Sequence, residues 1–309
     1  MNSKPKVIII TGPTATGKSH LGALLGNAAN GEVVSADSIQ IYRHMDIGSA
    51  KPAADEMMGI PHHMLSIIPP WEDYSAARYV QDAAKCVDDI LARGKLPIIV
   101  GGTGLYIDSL ISGRVFSDRA DNSLRAEIEA QYDELGADAM RQILSTFDPV
   151  SAQKIHHNNK RRIVRAIEVY RTTGKTISQH DADTKAIPPR YDAVKIALTF
   201  SNRADLYARI DRRVDLMFDA GLVQEVQSLL EMGVTSRATS LQAIGYKEVV
   251  DALSGNCSID DAIEKIKMES RRYAKRQLTW LRRDLNAKWI TWEKTPDFDL
   301  GLSVSTEYL

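Results

Sequence analysis

The chain has 309 residues, of which 44% are hydrophobic and 26% charged, with a formal net charge of −1. These values are ordinary for a soluble globular protein with room for one large or two smaller domains. The nearly neutral net charge gives no indication of an anionic partner, which only local clusters of charge could give. Two isolated cysteines, Cys86 and Cys257, give neither a disulfide framework nor a metal-binding spacing. Because we find neither a signal peptide nor an apolar run of membrane length, we expect a cytoplasmic protein without membrane contact.

The first predicted element is a buried strand over residues 7–10, and a phosphate-binding pattern follows it directly. Residues 12–19 fit G-x-x-x-x-G-K-[ST] and precede a helix-compatible run at 20–28. Its glycines let backbone N–H groups point at an anion, and the helix N-terminus favours negative charge. The lysine adds a cation for the terminal phosphate, and Ser19 is placed to bind Mg²⁺. The predicted pyrophosphate- or nucleotide-binding residues are Gly12, Pro13, Thr14, Ala15, Thr16, Gly17, Lys18 and Ser19.

A second strand is predicted to begin at Val33 and Val34, and Asp37 falls where it would end. In doubly wound sheets the carboxyl ends of the strands face the ligand crevice, so Asp37 would point at the phosphate site. An Asp-Ser pair is also a common helix N-cap. The residues alone leave these two roles open.

The next segments continue an alternation of strands and helices. Residues 74–92 predict an amphipathic helix and 97–100 a third buried strand, followed by the Gly-Gly-Thr-Gly of 101–104. Strands alternating with helices predict an α/β protein with a parallel sheet. The pair His62-His63 raises the possibility of a metal site, but adjacent side chains of an extended segment point in opposite directions and no third ligand stands at a typical spacing.

After Gly113 the pattern becomes helical, and basic residues accumulate. Residues 154–175 contain seven Lys or Arg with one acid, Glu168, and 177–190 are polar and predicted to be a linker. A strand at 194–200 precedes helices at 203–230 and 260–284, and both helices are rich in basic side chains. Such faces are either solvated surface or a footprint for nucleic acid.

Nine segments taken in order resemble the motifs of the tRNA dimethylallyltransferases, from the phosphate loop to about residue 283. The chain departs modestly from the family's pattern, for example with Ser49 in place of a frequent Thr. The segments lie at 12–19, 37–42, 46–52, 61–63, 74–76, 101–106, 162–169, 244–248 and 274–282.

This resemblance implies transfer of a dimethylallyl group from dimethylallyl pyrophosphate to the N6 amine of the adenosine 3′-adjacent to a tRNA anticodon. It implies a P-loop NTPase-like parallel sheet core flanked by helices over 1–116 and 191–309. A helical insertion domain over 117–190 is expected to clasp the anticodon stem-loop. The expected cofactor is Mg²⁺, and the expected assembly is a monomer.

The same resemblance assigns roles to individual residues. Asp37 is expected to be the general base, Thr103 to lie near the reacting amine, and Arg213 to contact pyrophosphate, although Arg203, Arg209 and Arg212 stand close to it in sequence. The residues expected to contact tRNA are Asp37, Ser38, Ile39, Gln40, Thr103, Arg125, Arg161, Arg162, Ile163, Val164 and Arg165.

Two other functions use a phosphate loop, and fold alone does not choose among them. A small-molecule kinase would bind ATP there, with the basic insertion acting as a lid. A tRNA-binding GTPase-like switch would need Asp-x-x-Gly after a strand and Asn-Lys-x-Asp, neither of which we find in the sequence.

Overall fold

The structure is a computed structural model that describes residues 4–114, 116 and 122–309. Within these residues the strands are β1 Lys6–Thr11, β2 Gly31–Ser35, β3 His62–His63, β4 Leu96–Gly101, β5 Asp192–Phe200 and β6 Lys288–Trp292. The helices found there are α1 Lys18–Ala28, α2 Ala76–Ala92, α3 Gly104–Ser112, α4 Asn122–Phe147, α5 Pro149–Lys154, α6 Lys160–Thr173, α7 Ile177–Ala186, α8 Arg203–Asp219, α9 Leu222–Glu231, α10 Tyr246–Leu253, α11 Ile259–Leu281 and α12 Phe298–Thr306.

The strands of the described residues form one sheet in the order β3-β2-β4-β1-β5-β6. Every neighbouring pair is parallel, which confirms the predicted α/β class. Parallel sheets are covered on both faces, so their central strands are continuous apolar runs. β1 is such a strand, and its Val7 and Ile9 pack into one core while Ile8 and Ile10 pack into the other.

The two cores recruit different helices. On one face α2 contributes Tyr79, Val87 and Ile90, at the spacing predicted from the sequence. On the other face α1 and α8 contribute Leu21 and Ile210. The phosphate-binding segment is thus anchored by a strand buried on both sides.

The chain divides into two compact units. One comprises Met1–Ile111 with Arg190–Leu309 and contains the sheet, and the other comprises Ser112–Pro189. The second unit is helical, and its own core contains residues of α4, α5 and α6, among them Ile128, Leu144, Ala152, Ile163, Val164 and Ile167. The insertion domain predicted from the sequence starts at residue 117, which lies outside the described residues.

The structure differs from the sequence predictions at three places. The linker predicted at 177–190 is wrong over most of its length, because α7 forms there. Thr176 and Gln179 cap α7 reciprocally, which stabilises a helix with no fully buried side chain, although Ile177 packs against the core of its unit. Neither β6 nor α12 was predicted, and the extended pair His62-His63 is the edge strand β3. Within the described ranges, no helix combines the length and the apolar character needed to cross a membrane.

Candidate functional site

Strand register brings three of the predicted segments together. Thr11 at the end of β1 is paired with Gly101 at the end of β4, and Ser35 at the end of β2 is paired with Val100. The phosphate loop, the Asp37 segment and the Gly-Gly-Thr-Gly segment therefore leave the sheet side by side. This edge is where open α/β sheets bind ligands.

The phosphate loop is tightly packed at its two glycines. Gly17 has a φ of +84°, and a Cβ there would lie 2.8 Å from the ring of Phe298 in α12. A Cβ on Gly12 would lie 2.6 Å from the carbonyl oxygen of Leu198. Inside the loop, the Thr16 hydroxyl donates to the Pro13 carbonyl over 2.8 Å. Only glycine satisfies both the left-handed conformation and the close contact at position 17.

Lys18 lies at the first position of α1, and its ammonium donates to the Pro13 carbonyl over 2.6 Å. Desolvation and the neighbouring charge of Arg213 lower the pKa of Lys18 to about 7, and Asp37 opposes that shift. The ammonium is therefore close to losing its proton at neutral pH, and a bound anion would restore it. Ser19, the expected Mg²⁺ ligand, follows it on the same helix and is half-buried.

Two of the four arginines of α8 contact the phosphate loop. Arg213 donates from Nη1 to the Thr14 hydroxyl over 3.3 Å, and Arg209 donates from Nε to the Ala15 carbonyl over 3.1 Å. Their spacing of four residues places them on one side of the helix. Desolvation lowers the pKa of both guanidinium groups. Arg203 and Arg212 are exposed.

Asp37 caps a turn rather than a helix. Its Oδ1 accepts hydrogen bonds from the backbone N–H groups of Ile39 at 2.8 Å and Gln40 at 3.3 Å. The helix N-cap considered from the sequence is wrong, because residues 38–40 form a bend and turn. Asp37 also opposes the lowering of the pKa values of Lys18 and Arg213, which marks it as their electrostatic neighbour.

Thr103 lies beside this turn. Its hydroxyl accepts from the Ser38 N–H over 3.2 Å, and its own N–H donates to the Ala36 carbonyl over 3.1 Å. The side chains of Asp37 and Thr103 therefore both hold the segment that follows β2. The structure brings together the candidate base, Thr103 and the cations of the loop.

Two residues of α11 also contact this region, and no signal in the sequence predicts that they do. The Gln277 side chain accepts from the Thr14 N–H at 3.0 Å and donates to the Gly102 carbonyl at 3.1 Å, so it joins two loops. Desolvation raises the pKa of Tyr273 to about 12, although hydrogen bonding to Thr103 lowers it. Residues 274–282 were noted as a motif, but nothing in the sequence shows which loop a helix 260 residues downstream contacts.

The C-terminal elements also support the loop. Trp292 at the end of β6 is buried, and its indole N–H donates to the Thr16 carbonyl over 3.0 Å. Aromatic and β-branched residues at 288–292 are a usable strand signal.

A cavity of about 610 Å³ lies next to Arg213. Residues of α8 and of the loop at 46–53 line it. Arg213, Lys51 and Asp46 are its charged lining residues. Most of the remaining lining is apolar and includes Ile47, Ala50, Pro52, Leu216, Met217 and Ala220. Arg213 thus contacts the phosphate loop and also lines an apolar space.

The RNA-binding residues predicted in the helical unit separate into two sets. Arg161 and Arg162 are exposed on α6, and Arg165 pairs with the buried Glu168 at 3.0 Å. Ile163 and Val164 are completely buried in the core of that unit, so the expectation that their side chains contact tRNA is corrected. Periodicity explains the difference, because successive residues of a helix face different directions.

Two further predicted positions make local contacts. Arg125 on α4 pairs with Glu129 at 3.0 Å. The Gln40 side chain donates to the carbonyl groups of Ser49 and Ala50, at 3.3 and 3.1 Å, and accepts from the Ser35 hydroxyl. The side-chain amide of Gln40 thus holds neighbouring loops.

The histidine pair does not form a metal site with its neighbours. His63 hydrogen-bonds to Glu32 at 2.8 Å, and that buried carboxylate also pairs with Arg93 and Lys95. These bonds hold the pKa of Glu32 well below its usual range, with Arg93 contributing most. Over the described residues, no group of three or more His, Cys, Asp or Glu side chains is arranged to hold a metal ion.

Known protein structures share this fold. The tRNA delta(2)-isopentenylpyrophosphate transferase of Staphylococcus epidermidis is 41% identical and superposes with a TM-score of 0.71, and 98% of each chain is covered. A eukaryotic dimethylallyltransferase acting on tRNA is 32% identical with a TM-score of 0.81, covering 98% of this chain and 77% of that one. The fold is the P-loop NTPase-like one that the sequence resemblance implied.

Sequence relatives agree with the structural ones. The tRNA dimethylallyltransferase of Acetivibrio thermocellus is 47% identical over 92% of this chain and 91% of its own. That of Carboxydothermus hydrogenoformans is 48% identical over the same shares. The family described as isopentenyl transferase matches residues 5–66, and that described as IPP transferase matches residues 40–284. The chain therefore belongs to the IPP transferase family, to which it is related over most of its length.

Proposed function

We propose that this protein transfers a dimethylallyl group from dimethylallyl pyrophosphate to the N6 amine of the adenosine 3′-adjacent to the anticodon in tRNA, releasing pyrophosphate. The observation that carries the proposal is the position of Arg213 between the phosphate loop and an apolar cavity. A prenyl pyrophosphate consists of an anion, which suits the phosphate loop, and a short hydrocarbon, which suits the apolar cavity. The names of the relatives support the same reaction.

The donor end of the reaction uses the phosphate loop as a holder of the leaving group. The bond between the allylic carbon and the pyrophosphate oxygen breaks, and negative charge develops on that oxygen. Lys18 in the loop, which an anion would keep protonated, and Arg213 beside the loop are positioned cations, and such groups stabilise developing charge. Their pKa values are lowered without an anion, so pyrophosphate would be a strongly favoured partner.

The acceptor end requires a proton acceptor. As the new bond forms between the allylic carbon and N6, a proton leaves the adenine amine, and Asp37 is the residue proposed to take it. Its neighbour Thr103 is proposed to orient the amine. Because the target base is stacked in the anticodon loop, it must be flipped out to reach this edge of the sheet.

Mg²⁺ is proposed as the cofactor, with the Ser19 hydroxyl as its ligand from the protein. Proteins often hold Mg²⁺ by one or two of their own oxygens together with substrate phosphates. Of the three hydroxyls in the loop, those of Thr14 and Thr16 hydrogen-bond to Arg213 and to the Pro13 carbonyl, which leaves Ser19 as the hydroxyl proposed for the metal. When bound, Mg²⁺ supplies neutralisation of the pyrophosphate charge.

The helical unit is proposed to be the tRNA-binding insertion domain. Its exposed Arg161 and Arg162 lie on α6 outside that unit's core, where phosphate groups can reach them. Arg125 and Arg165 are proposed to join them once RNA competes with their carboxylate partners. We also propose that the enzyme acts as a cytoplasmic monomer on the anticodon stem-loop.

The experiment is incubation with labelled dimethylallyl pyrophosphate, unmodified tRNA and Mg²⁺, followed by measurement of label in the RNA. We expect label at the adenosine beside the anticodon and none in a tRNA with another base there. Relatives support the transferase and not the kinase considered from the sequence. Phosphorylation of a small metabolite by ATP, without labelled tRNA, would contradict the proposal.

A further inference from the structure

One wall of the apolar cavity is a loop without helix or strand. Residues 46–53 supply Asp46, Ile47, Ala50, Lys51 and other residues to the lining, opposite α8. An irregular loop holds a fixed shape only if its backbone groups are satisfied by other parts of the fold. What holds this loop therefore determines the shape of the cavity.

A single carboxylate from α9 binds three successive backbone amides of the loop. Glu225 accepts with Oε2 from the N–H groups of Asp46 and Ile47, both at 2.8 Å, and with Oε1 from that of Gly48 at 3.1 Å. Hydrogen bonds to an ionised acceptor are about twice as strong as those between neutral groups. The loop is thus wrapped around an anion that the chain itself supplies.

The carboxylate is fixed in turn by Tyr246, the first residue of α10. The Tyr246 hydroxyl donates to Oε1 of Glu225 over 2.7 Å, and its side chain is fully buried. The ring also packs closely against the loop, because a Cβ on Gly48 would be 2.6 Å from it. Tyr246 therefore holds both the carboxylate and the backbone that the carboxylate binds.

The opposite side of the loop is tied to the turn that carries Asp37. Gln40 donates to the carbonyl groups of Ser49 and Ala50, and its own N–H donates to Asp37. Lys51 is fastened as well, since its ammonium contacts the Tyr42 carbonyl and the Ser66 hydroxyl, both at 2.8 Å. Hydrogen bonds thus connect Glu225 to the loop that lines the cavity, and connect that loop to the turn that carries the candidate base Asp37.

We propose that Glu225, oriented by Tyr246, is a positioning residue that sets the shape of the donor pocket and so its preference for a five-carbon prenyl chain. The inference rests on the proposed function, because it takes the cavity as the site of the prenyl group. Glu225 contacts no reacting atom in this role. It acts through the loop whose residues line the pocket.

Two substitutions separate positioning from simple packing. Glu225→Gln keeps the size of the side chain but has one acceptor oxygen where four donors converge, so two of them lose their partner and meet an N–H₂ group. Tyr246→Phe keeps the ring against Gly48 and removes only the hydroxyl. Glu231→Gln is the matched control, since Glu231 is exposed near the end of the same helix.

The assay measures steady-state transfer to tRNA with dimethylallyl or geranyl pyrophosphate, together with calorimetric binding of each donor and a thermal melt. We expect the KM for the five-carbon donor to rise about tenfold in Glu225→Gln, as for loss of a charged hydrogen bond. The preference for five over ten carbons should fall by about tenfold, near the discrimination that one methylene gives in an apolar pocket. Tyr246→Phe should show a smaller change in the same direction, and the KM for tRNA should stay constant.

Unchanged donor KM and chain-length preference in both variants, with an active wild type, would overturn the inference and leave the proposed function intact. A loss of thermal stability in the variants, without a change in donor KM or chain-length preference, would also overturn the inference and leave the proposed function intact. If the wild type neither binds dimethylallyl pyrophosphate nor transfers it, the proposed function fails first, and the inference falls with it. Should Glu225→Gln not fold, Tyr246→Phe decides, because it keeps the ring in place.

Discussion

Replacing Asp37 tests the proposed general base, and the structure supplies a matched pair of substitutions. Oδ1 of Asp37 accepts two backbone N–H groups that shape the turn after β2. Asp37→Asn retains an oxygen that can accept both bonds but cannot take a proton from an amine. Asp37→Ala removes the base and the turn cap together. The two variants therefore share a catalytic defect and differ in stability.

The expected magnitudes follow from the two roles. Loss of a positioned base lowers the rate by about 10²–10⁴, which corresponds to about 2.7–5.4 kcal/mol in activation free energy. Loss of the acceptor of these backbone N–H groups costs about 1–3 kcal/mol of unfolding free energy. We expect both variants to show the rate defect, and only Asp37→Ala to show the full loss of stability.

Single-turnover transfer from labelled donor to tRNA measures the rate, and a thermal melt on the same sample measures stability. Binding of tRNA should change less than the rate, because contacts to its backbone supply most of the affinity. Near-normal single-turnover transfer by Asp37→Asn would refute the assignment. In that case Asp37 would be left with the capping role alone.

Three further predictions follow from residues around the site. The pKa of Lys18 is lowered to about 7, so the free protein loses this charge as pH rises. Donor binding measured by calorimetry should therefore weaken between about pH 6 and pH 9. In Lys18→Met, this part of the pH dependence of donor binding should be absent. Replacing the exposed Arg161 and Arg162 by Ala should weaken tRNA binding and reduce the slope of log affinity against log salt by about 0.7–0.9 for each lost phosphate contact; an unchanged slope would mean a merely solvated face. Gln277→Ala leaves the Thr14 N–H without its partner, so we expect unfolding free energy to fall by about 1–3 kcal/mol and donor binding to weaken, with a melt and calorimetry as the checks.

The sequence predicts which segments meet at this edge of the sheet, because their signals are local. The phosphate loop follows from its spacing and the position of Asp37 from its place after an apolar strand, whereas the role of Thr103 comes only from the family resemblance. The amphipathic helix α2 needs only its period. Each of these signals is contained within about 20 residues of chain.

What the sequence did not provide depends on contacts between distant segments. Gln277 reaches the phosphate loop from 263 residues away, and no local pattern identifies its partner. The family resemblance assigns the whole segment 161–165 to the RNA channel, although the helical period places the side chains of Ile163 and Val164 in a core. The helix α7 has no fully buried residue and only Ile177 packs against the core of its unit, so its sequence carries a weak apolar period, and the capping pair Thr176 and Gln179 supports its first turn.

The hydrogen bond from Trp292 to Thr16 has a consequence for the newly made chain. The two residues are 276 positions apart, and at synthesis rates of about 5–20 residues per second the interval between them is about 14–55 s. The unit at Ser112–Pro189 has its own core, and all of that core is translated before Trp292. The phosphate loop, although translated first, waits for β6 and Phe298 to support it. We expect a ribosome-bound chain that stops before Trp292 to be sensitive to protease at its N-terminal strands and to need a chaperone until the last elements emerge.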